Sequence, residues 1–363
     1  MFTIKFASLG AEEIRQLAAQ KLQEDLAAWE KHIWKFLLDW FNPEIESIAV
    51  ETSGSTGKPK TISHRKEYMH NSARMTCEAL QLKKNSTALL CLPAQKISGM
   101  MMLVRCIEHR MNLVCIEPTV SPLLKLSDGG SIDFAAFTPM QFMDTLKDPK
   151  AFDKAENIAT IILGGEGISN ELMKSIRLMK NSIYATFGMT ETISHSALKK
   201  LTRAISENAF CLLRGISIST DERGCMIVNA PLLGQTNLVT NDVVNLVSAN
   251  EFEWLGRADN VINSGGMKLH PEMIEDLMRN QINFPFFIAA VSDSLAGQRP
   301  ALVLEGDAIP LQELQQLKQY FASLDRKIQP KALWLVPKFE KTNNGKLKRE
   351  DTLKTITERI DLG

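Results

Sequence analysis

Residues 52–60 have the sequence Thr-Ser-Gly-Ser-Thr-Gly-Lys-Pro-Lys and closely follow the apolar run Ile48-Ala49-Val50. Hydroxyl groups, glycines and lysines in one short segment provide backbone N–H donors, O–H donors and positive charge, which together surround a polyphosphate. The segment is not a Walker A loop, because two residues separate Gly54 from Gly57-Lys58, and Pro59 stands where the Mg²⁺-binding Ser or Thr would begin a helix. An ordinary polar loop is the alternative, and the lysines at its end argue against it. The segment therefore predicts a phosphate-binding loop.

On either side of this loop, short runs of β-branched or aliphatic residues alternate with segments of helical length. This alternation is typical of a parallel α/β sheet. The runs occupy residues 45–50, 88–92, 113–116, 134–137 and 158–163. Before them, regularly spaced apolar side chains over residues 11–41 predict one long amphipathic helix or two.

From about residue 211 the spacing of the apolar runs shortens and turn residues separate them. This pattern predicts a small antiparallel subdomain with strands at 216–219, 225–229 and 238–240. Beyond Gly256 the sequence predicts another compact unit, with helices beginning at Pro271 and covering 311–324.

Composition excludes several classes of function. The chain has 42 basic and 42 acidic residues and no net charge, so it has no overall field to hold a nucleic acid or an anionic membrane. No segment approaches the ~20 uncharged residues of a membrane span, and the first residues do not resemble a signal peptide, so we expect a cytoplasmic protein. No CxxC pair is present, and we expect reduced core cysteines at Cys77, Cys91, Cys106, Cys115, Cys211 and Cys225.

Four segments together resemble one known family. Thr52–Lys60 is similar to the phosphate loop of the adenylate-forming superfamily, which contains acyl- and aryl-CoA ligases, peptide-synthetase adenylation domains and beetle luciferases. Three further matches follow in the family's order, at Thr186–Thr192, at Gly256–Glu275 and at Lys341–Lys346. The resemblance covers residues 45 to about 350.

The resemblance implies an α/β adenylate-forming ligase fold with two domains. Residues 1–258 would form a large N-terminal part, with an α/β sheet and a small β subdomain, and residues 259–363 a small, mobile α+β lid. Members normally have a whole α/β subdomain before the phosphate loop, whereas only 51 residues precede Thr52 here. We therefore expect a shortened N-terminal part, in which the helical segment 11–41 covers surface that the missing subdomain would bury.

The resemblance also implies a set of nucleotide-binding residues. Phe187 would stack on the purine in place of the family's usual Tyr, while Gly188 lets the backbone approach the nucleotide. A buried aromatic residue before a helix cap is the alternative for this segment. The remaining positions carried over for ATP are Thr52, Ser53, Gly54, Ser55, Thr56, Gly57, Lys60, Gly164, Gly165 and Thr186.

For the ribose, the resemblance implies Asp242 and Arg257. The carboxylate of Asp242 would accept hydrogen bonds from the ribose hydroxyls, and Asn241 replaces the family's glycine before it. Asn is the non-glycine residue that best tolerates positive φ. Without the resemblance, an Asn-Asp turn and a surface ion pair are the simpler interpretations of these residues.

The catalytic positions implied are Lys346, Thr190 and Glu191. Lys346 would enter the active site for adenylation, and Glu191 would bind Mg²⁺ through a hard carboxylate oxygen. Asp259 matches the hinge of the lid. Gly265, Gly266 and Lys268 would lie beside the pantetheine channel of coenzyme A, with a plain β-turn as the alternative for the two glycines.

Residues 92–100 resemble an acyl-site segment of these ligases, and with the Phe-Gly-Met-Thr-Glu-Thr motif they look most like o-succinylbenzoate–CoA ligases of menaquinone synthesis. Lys96 replaces the family's His, and its ammonium would pair with a second carboxylate of the substrate. A surface lysine is the alternative. The other substrate positions are Ser98, Gly99 and His195, the last predicted as a second cation.

The activity that this implies uses ATP, Mg²⁺ and coenzyme A. A carboxylic acid first reacts with ATP to give an acyl adenylate and pyrophosphate, and the CoA thiolate then displaces AMP. Two alternatives stay open: an adenylation enzyme that loads a carrier protein, and a non-catalytic adenylate-binding protein, against which the presence of Lys346 and Glu191 argues. Sequence alone does not indicate the oligomeric state.

Overall fold

A computed structural model of the chain describes residues 1–52, 60–127, 129–202, 209–341 and 347–362. They form two compact units. The first comprises Met1–Ile218, Val228–Leu238 and Ser248–Glu251, and the second comprises Ser219–Ile227, Val239–Val247 and Phe252–Gly363. Two predicted segments lie outside the described residues: 53–59 of the phosphate loop, with Ser53, Gly54, Ser55, Thr56 and Gly57, and 342–346, with Lys346. The domain boundary at 258/259 stays a prediction.

The described chain contains α-helices of five to fourteen residues. They are α1 Ala11–Lys21, α2 Ala28–Trp40, α3 Lys66–Ala79, α4 Ile97–Glu108, α5 Pro139–Thr145, α6 Pro149–Glu156, α7 Asn170–Leu178, α8 Pro271–Met278, α9 Leu311–Ser323 and α10 Arg349–Leu353. Short 3₁₀ helices occupy Pro122–Lys125, Thr190–Thr192, Pro231–Leu233 and Ala258–Asn260.

The strands belong to both units. They are β1 Phe2–Lys5, β2 Ser47–Thr52, β3 Lys60–Arg65, β4 Thr87–Leu90, β5 Asn112–Cys115, β6 Phe134–Phe137, β7 Thr160–Leu163, β8 Ser182–Gly188, β9 His195–Lys200, β10 Phe210–Leu212, β11 Ser217–Thr220, β12 Cys225–Ala230, β13 Gln235–Ser248, β14 Glu251–Arg257, β15 Ile262–Ser264, β16 Met267–Leu269, β17 Phe286–Asp293, β18 Gly297–Glu305, β19 Ala332–Val336 and β20 Glu358–Asp361.

The main sheet of the first unit has the order β1-β5-β4-β6-β7-β8-β9-β10. Strands β5, β4, β6, β7 and β8 are parallel, as the alternation in the sequence predicts, whereas β1, β9 and β10 are antiparallel to their neighbours. Buried aliphatic and aromatic side chains such as Phe137, Phe142 and Ile161 form a core against one face of this sheet. In a parallel sheet of this kind, ligands bind beyond the carboxyl ends of the strands. The carboxyl ends of β7 and β8 carry several predicted site residues.

The segment before the phosphate loop contains two helices, α1 and α2, as one of the two alternatives predicts. It also contributes β1, which the sequence analysis did not identify and which pairs antiparallel with β5. The ring of Phe2 stacks on Trp29 and Trp34, with centroids 5.7 and 5.2 Å away. The segment therefore extends the sheet as well as packing helices.

The phosphate loop connects the two strands of a hairpin. β2 pairs antiparallel with β3, and Thr52 lies opposite Lys60. The prediction that residues 45–50 belong to the parallel sheet is therefore wrong, because the partner of β2 follows the loop directly. β3 contains one large aliphatic side chain, Ile62, so its sequence lacks the apolar run that revealed the other strands.

In the second unit, a sheet of the order β16-β15-β18-β19-β20, with β17 also paired to β18, carries apolar side chains on both faces. Alternation along the strands separates them: Ile288 and Leu302 join a cluster with α8 and α9, while Phe287 and Val303 join a second cluster with Trp334. Helices α8 and α9 confirm the predictions at Pro271 and 311–324.

Strands β11 to β14 are neighbours in the order β14-β13-β12-β11, which confirms closely spaced strands in this region. The predicted strand 238–240 is part of β13, which is 14 residues long. Cys211 is exposed, contrary to the expectation of a core position, while the other five cysteines are buried and none of the six forms a disulfide. No described helix has the length and apolar character needed to span a membrane.

Candidate active site

Gly164 and Thr186 meet where β7 and β8 end. A Cβ at Gly164 would lie 2.2 Å from Oγ1 of Thr186, and this hydroxyl donates to the Leu163 carbonyl at 3.2 Å. The close approach therefore requires glycine at 164. Gly165 has φ of +97°, a conformation that side chains other than glycine rarely adopt. The structure thus brings together three residues predicted to contact the nucleotide.

A tight turn follows β8 and presents Thr190 and Glu191. A Cβ at Gly188 would lie 2.3 Å from the Ser194 carbonyl oxygen, so the chain folds back closely on itself. The hydroxyl of Thr192 accepts from the Met189 N–H at 3.1 Å and donates to the Ser194 carbonyl at 2.8 Å. These contacts fix the 3₁₀ helix Thr190–Thr192.

The turn is strained at Ile193. This residue has φ of 68° and ψ of −50°, and the Ser194 N–H donates to the Thr192 carbonyl at 2.7 Å. That geometry is a γ-turn of the rare kind with positive φ, which is costly for a β-branched residue. Full burial of the Ile193 side chain holds the conformation in place. Backbone strain of this kind clusters at functional sites.

Glu191 is exposed on this turn, and its carboxylate is a suitable ligand for Mg²⁺. Within the described part of the chain, no group of three His, Cys, Asp or Glu residues is arranged to hold a metal. Mg²⁺ in nucleotide sites is commonly held by one or two carboxylates, together with substrate phosphates and waters. A single carboxylate at Glu191 fits that mode of binding.

His64, on β3, packs beside the same turn and was not singled out by the sequence analysis. It is 5% exposed, and burial lowers the pKa of its imidazole, while a hydrogen bond to the Thr190 carbonyl and the charge of Glu191 act in the opposite direction. Its Nε2 has no hydrogen-bond partner in the described structure. The only sequence signal was a histidine in a strand that follows the phosphate loop.

Phe187, the predicted purine-stacking residue, is half-buried at the end of β8. Its ring centroid lies 5.7 Å from that of Phe210, with 58° between the ring planes. The ring is therefore held on one side by a second aromatic residue.

The acyl-site segment surrounds the start of α4. Lys96 is the N-cap residue, and its side chain is half-buried, while Ser98 is exposed. A Cβ at Gly99 would lie 2.3 Å from the Pro93 carbonyl oxygen, so the role that the geometry gives Gly99 is a close backbone contact.

His195 is buried in a chain of hydrogen bonds that starts at Arg105 on α4. Nη2 of Arg105 donates to Oγ of Ser194 at 2.7 Å, Ser194 lies 3.4 Å from Nδ1 of His195, and Nε2 of His195 lies 3.0 Å from Oγ1 of Thr76. The Thr76 hydroxyl in turn donates to the Ser72 carbonyl at 3.1 Å. Donors and acceptors match along this chain if His195 carries its proton on Nε2, and we assign that tautomer.

This environment contradicts the prediction of a second cation at His195. Burial, and then the positive charge of Arg105, hold the pKa of His195 well below its usual range, so the ring is neutral. The cation in this place is Arg105, which is 2% exposed and which the sequence analysis missed. Its signal was a lone arginine in an otherwise apolar helix, Met100 to Cys106.

In the second unit, Asp242, Arg257 and Asp259 come together. Oδ1 of Asp242 accepts from Nε1 of Trp254 at 2.9 Å, and Oδ2 lies 3.7 Å from Arg257. Arg257 also lies 3.4 Å from Asp259, whose carboxylate accepts from the amide of Asn241. Asn241 lies within the extended strand β13 and does not have positive φ, so the turn interpretation of the Asn-Asp pair is wrong.

Gly265 and Gly266 form the two-residue turn of the hairpin between β15 and β16, since Ser264 pairs with Met267. Their φ values of +56° and +80° suit a type I′ turn, in which both central residues need positive φ. The plain β-turn is therefore present, with Lys268 exposed beside it. A role next to coenzyme A stays a prediction.

An ion-pair network links α8 to α10. Arg349 makes two contacts with Glu275, at 2.7 and 2.9 Å, and Glu275 also accepts from the Ile288 N–H at 2.8 Å. Glu272 lies 3.6 Å from Arg349 and accepts a hydrogen bond from Asn260, next to the predicted hinge Asp259. The acidic first turn of α8 thus has specific partners besides the helix dipole.

Comparison with known proteins places the chain in a family. The family model "AMP-binding enzyme" matches residues 41–211. A crystal structure from Dyadobacter fermentans, described as an acyl-CoA synthetase (AMP-forming)/AMP-acid ligase II-like protein, is 31% identical over 97% of this chain and 99% of that chain, with a TM-score of 0.65. The chain belongs to the AMP-binding enzyme family. It is a member of the branch of AMP-forming acid–CoA ligases, and its fold is the adenylate-forming ligase fold.

Relatives of this AMP-binding protein include ligases that act on one aromatic acid. The 2-succinylbenzoate–CoA ligase of Lactococcus lactis is 25% identical over 86% of this chain and 71% of its own length. The enzyme of that name from Haemophilus influenzae is also 25% identical, over 74% of this chain and 60% of its own length. A Bacillus subtilis o-succinylbenzoate–CoA synthetase in complex with its acyl adenylate shares the fold, with a TM-score of 0.68 and 20% identity over 83% of this chain and 68% of that one.

Proposed function

We propose that the acid activated by this AMP-forming acid–CoA ligase is o-succinylbenzoate. The relatives named above support the reaction class, and the observation that carries the choice of acid is the buried guanidinium of Arg105. O-Succinylbenzoate has two carboxylates, one on the succinyl chain and one on the ring. One reacts with ATP, and the other needs a cation in the acyl site.

Arg105 is well suited to be that cation. It is 2% exposed, and burial lowers its pKa to about 10, yet no described Asp or Glu lies within ion-pair distance of it. Its Nε has no acceptor, and its contacts are the Ser194 hydroxyl and, at 3.7 Å, the sulfur of Met102. A buried charge without a counter-ion is unfavourable by several kcal/mol, roughly the range found when one partner of a buried pair is removed. A carboxylate of the substrate would remove that cost.

The position of Arg105 links two predicted parts of the acyl site. It lies on α4, which begins at Lys96, and its partner Ser194 follows the turn that carries Thr190 and Glu191. A long-chain fatty acid has no group to offer this cation. Lys96 stays a second predicted contact to the same carboxylate.

In the first half-reaction, an oxygen of the substrate carboxylate forms a bond to the α-phosphorus of ATP, and the bond to pyrophosphate breaks. The carboxylate is ionised at neutral pH, so no general base is needed. The residues of this chain bind and orient: the phosphate loop and Lys346 around the phosphates, Phe187 against the purine, and Asp242 with Arg257 at the ribose. Bound at Glu191, Mg²⁺ would neutralise charge on the phosphates.

In the second half-reaction, the thiolate of coenzyme A forms a C–S bond to the acyl carbon, and AMP leaves with the former carboxylate oxygen. Acyl adenylates react with water, so a closing lid that turns about Asp259 would protect the intermediate.

Pyrophosphate release with a panel of acids tests the proposal. We expect o-succinylbenzoate to be a better substrate than 4-oxo-4-phenylbutanoate, which lacks the ring carboxylate, and much better than fatty acids. Arg105→Gln should remove this preference by raising KM for o-succinylbenzoate by about 10- to 100-fold, the value of a charge-assisted hydrogen bond, with little effect on the monocarboxylic analogue. Lys96→Gln is the matched variant that tests the second predicted cation.

Two outcomes would contradict the proposal. Equal losses for both acids in Arg105→Gln would show that the guanidinium does not bind the ring carboxylate. Thioester formation on a carrier protein but not on coenzyme A would favour the carrier-loading alternative.

A further inference from the structure

The imidazole of His64 has one nitrogen in use and one without a partner. We assign the hydrogen bond between the imidazole and the Thr190 carbonyl to Nδ1, because Nε2 has no partner in the described structure. A carbonyl accepts only, so Nδ1 carries a proton, and in the neutral ring Nε2 is left with a lone pair. His64 is therefore a buried hydrogen-bond acceptor that the described protein does not satisfy.

Such an atom is uncommon in a native structure and needs an explanation. The His64 side chain is 5% exposed, and the negative charge of Glu191 acts to raise the pKa of its ring. His64 lies on β3, which begins at Lys60, directly after the phosphate loop. The unsatisfied nitrogen thus belongs to the hairpin that carries the phosphate loop and lies near the turn that carries Glu191, the carboxylate predicted to bind Mg²⁺.

The chemistry of the ligands limits what Nε2 would bind. The triphosphate of ATP offers acceptors and no donors, and Mg²⁺ prefers oxygen to imidazole nitrogen. The donor that accompanies magnesium–triphosphate is water, since Mg²⁺ keeps several waters when it binds nucleotides. With its lone pair, Nε2 of His64 is suited to accept a hydrogen bond from a water bound to that Mg²⁺.

We propose that His64 is a positioning residue of the magnesium–ATP site: Nδ1–H fixes the Thr190 carbonyl, and with it the turn that carries Glu191, while Nε2 accepts a hydrogen bond from the water shell of the bound magnesium–triphosphate. The proposal rests on the proposed function only for ATP and Mg²⁺, and it is independent of which acid is activated.

Binding of Mn²⁺ with ATP, measured from the electron paramagnetic resonance signal of free Mn²⁺, tests this proposal without turnover. His64→Asn keeps an N–H near the Nδ1 position and removes Nε2, whereas His64→Gln places a polar atom near Nε2 and removes the Thr190 contact. Loss of an outer contact to a metal site commonly weakens metal binding by about 10- to 100-fold. We expect a loss in that range for His64→Ala and His64→Asn, and smaller losses for His64→Gln.

Two further measurements separate positioning from folding. Thioester formation from chemically prepared acyl adenylate needs no triphosphate, and it should stay at the wild-type rate in His64→Asn. His70→Asn is the matched control, because His70 is a histidine of α3 that pairs with Glu108 at 2.8 Å, and it should bind Mn²⁺–ATP like the wild type. If His64→Asn binds Mn²⁺–ATP within twofold of the wild type, or if it loses both half-reactions in equal proportion, the proposal is wrong. A wrong acid would leave all these results unchanged, so failure of the proposed substrate is distinguishable.

Discussion

Acid should destabilise the first unit through His195, because its ring is neutral in the folded protein and gains a proton on unfolding. Burial and the neighbouring Arg105 hold its folded-state pKa well below the ordinary value of 6.5. Around and below that value the unfolded chain therefore binds more protons than the folded one. The contribution of His195 to the free energy of unfolding is fully present above pH 6.5 and is lost as the pH is lowered. The groups around the ring are Arg105, Ser194 and Thr76, and the two hydroxyls do not titrate.

The magnitude follows from linkage. While the folded ring stays neutral, the free energy of unfolding falls by about 1.4 kcal/mol at one pH unit below 6.5 and by about 2 kcal/mol at one and a half units below. His195→Gln keeps a side-chain N–H for the Thr76 hydroxyl and cannot take up a proton. It should be less stable than the wild type at neutral pH, and the difference should shrink by these amounts as the pH falls.

Urea unfolding at a series of pH values, followed by tryptophan fluorescence, measures this difference. Burial also lowers the pKa values of His64 and His270, which are present in both proteins. Only the pH dependence of the difference in free energy of unfolding between His195→Gln and the wild type is therefore assigned to His195. A gap that stays constant within about 0.3 kcal/mol from pH 7 to pH 5 would refute the reasoning, because the ring would then not be protonated on unfolding.

Three further predictions concern catalysis. Gly188→Ala would place a methyl group against the Ser194 carbonyl, so we expect a destabilisation of about 1–3 kcal/mol and loss of pyrophosphate release, whereas Gly130→Ala, with open space around it, should have little effect on either. Lys346→Ala should slow adenylation by about 10²- to 10³-fold and leave thioester formation from prepared acyl adenylate intact, with Lys348→Ala as the charge-matched control; equal losses in both half-reactions would contradict the role of this lysine. Asp259→Pro should slow the change between half-reactions by restricting φ at the predicted hinge, measured as accumulation of acyl adenylate in single turnover, and wild-type rates in both steps would show that the hinge lies elsewhere.

Some features of the candidate site depend on residues that are close in sequence. The motif at 186–192 predicts a nucleotide-binding segment in which the backbone at Gly188 approaches closely, and the structure shows a close backbone approach there, in a turn formed through contacts among Gly188, Thr192 and Ser194. The amphipathic periods of α1, α2, α8 and α9 are likewise local, and they predict the helices that the structure contains.

The parts that could not be predicted depend on distant residues. Arg105 contacts Ser194 across 89 positions, and no pattern in either segment indicates that pair. The role of β3 was missed for a related reason, since its pairing with β2 and the packing of His64 on the Thr190 turn are set by tertiary structure. The predicted cation was placed at His195 because the histidine lies in a recognised motif, and the proposal of Arg105 in its place depends on burial that the sequence does not reveal.

The pairing of β1 with β5 has a consequence for self-association of the protein. β5 would be the outermost strand of the parallel sheet without β1, and its backbone N–H and C=O groups would then be open to strands of other molecules. The four residues of β1 cover this edge, and the stacking of the Phe2 ring on Trp29 and Trp34 holds the strand in place. We therefore expect removal of residues 1–5 to increase self-association of the protein, because the edge strand would then be the buried, apolar β5 in place of the short β1.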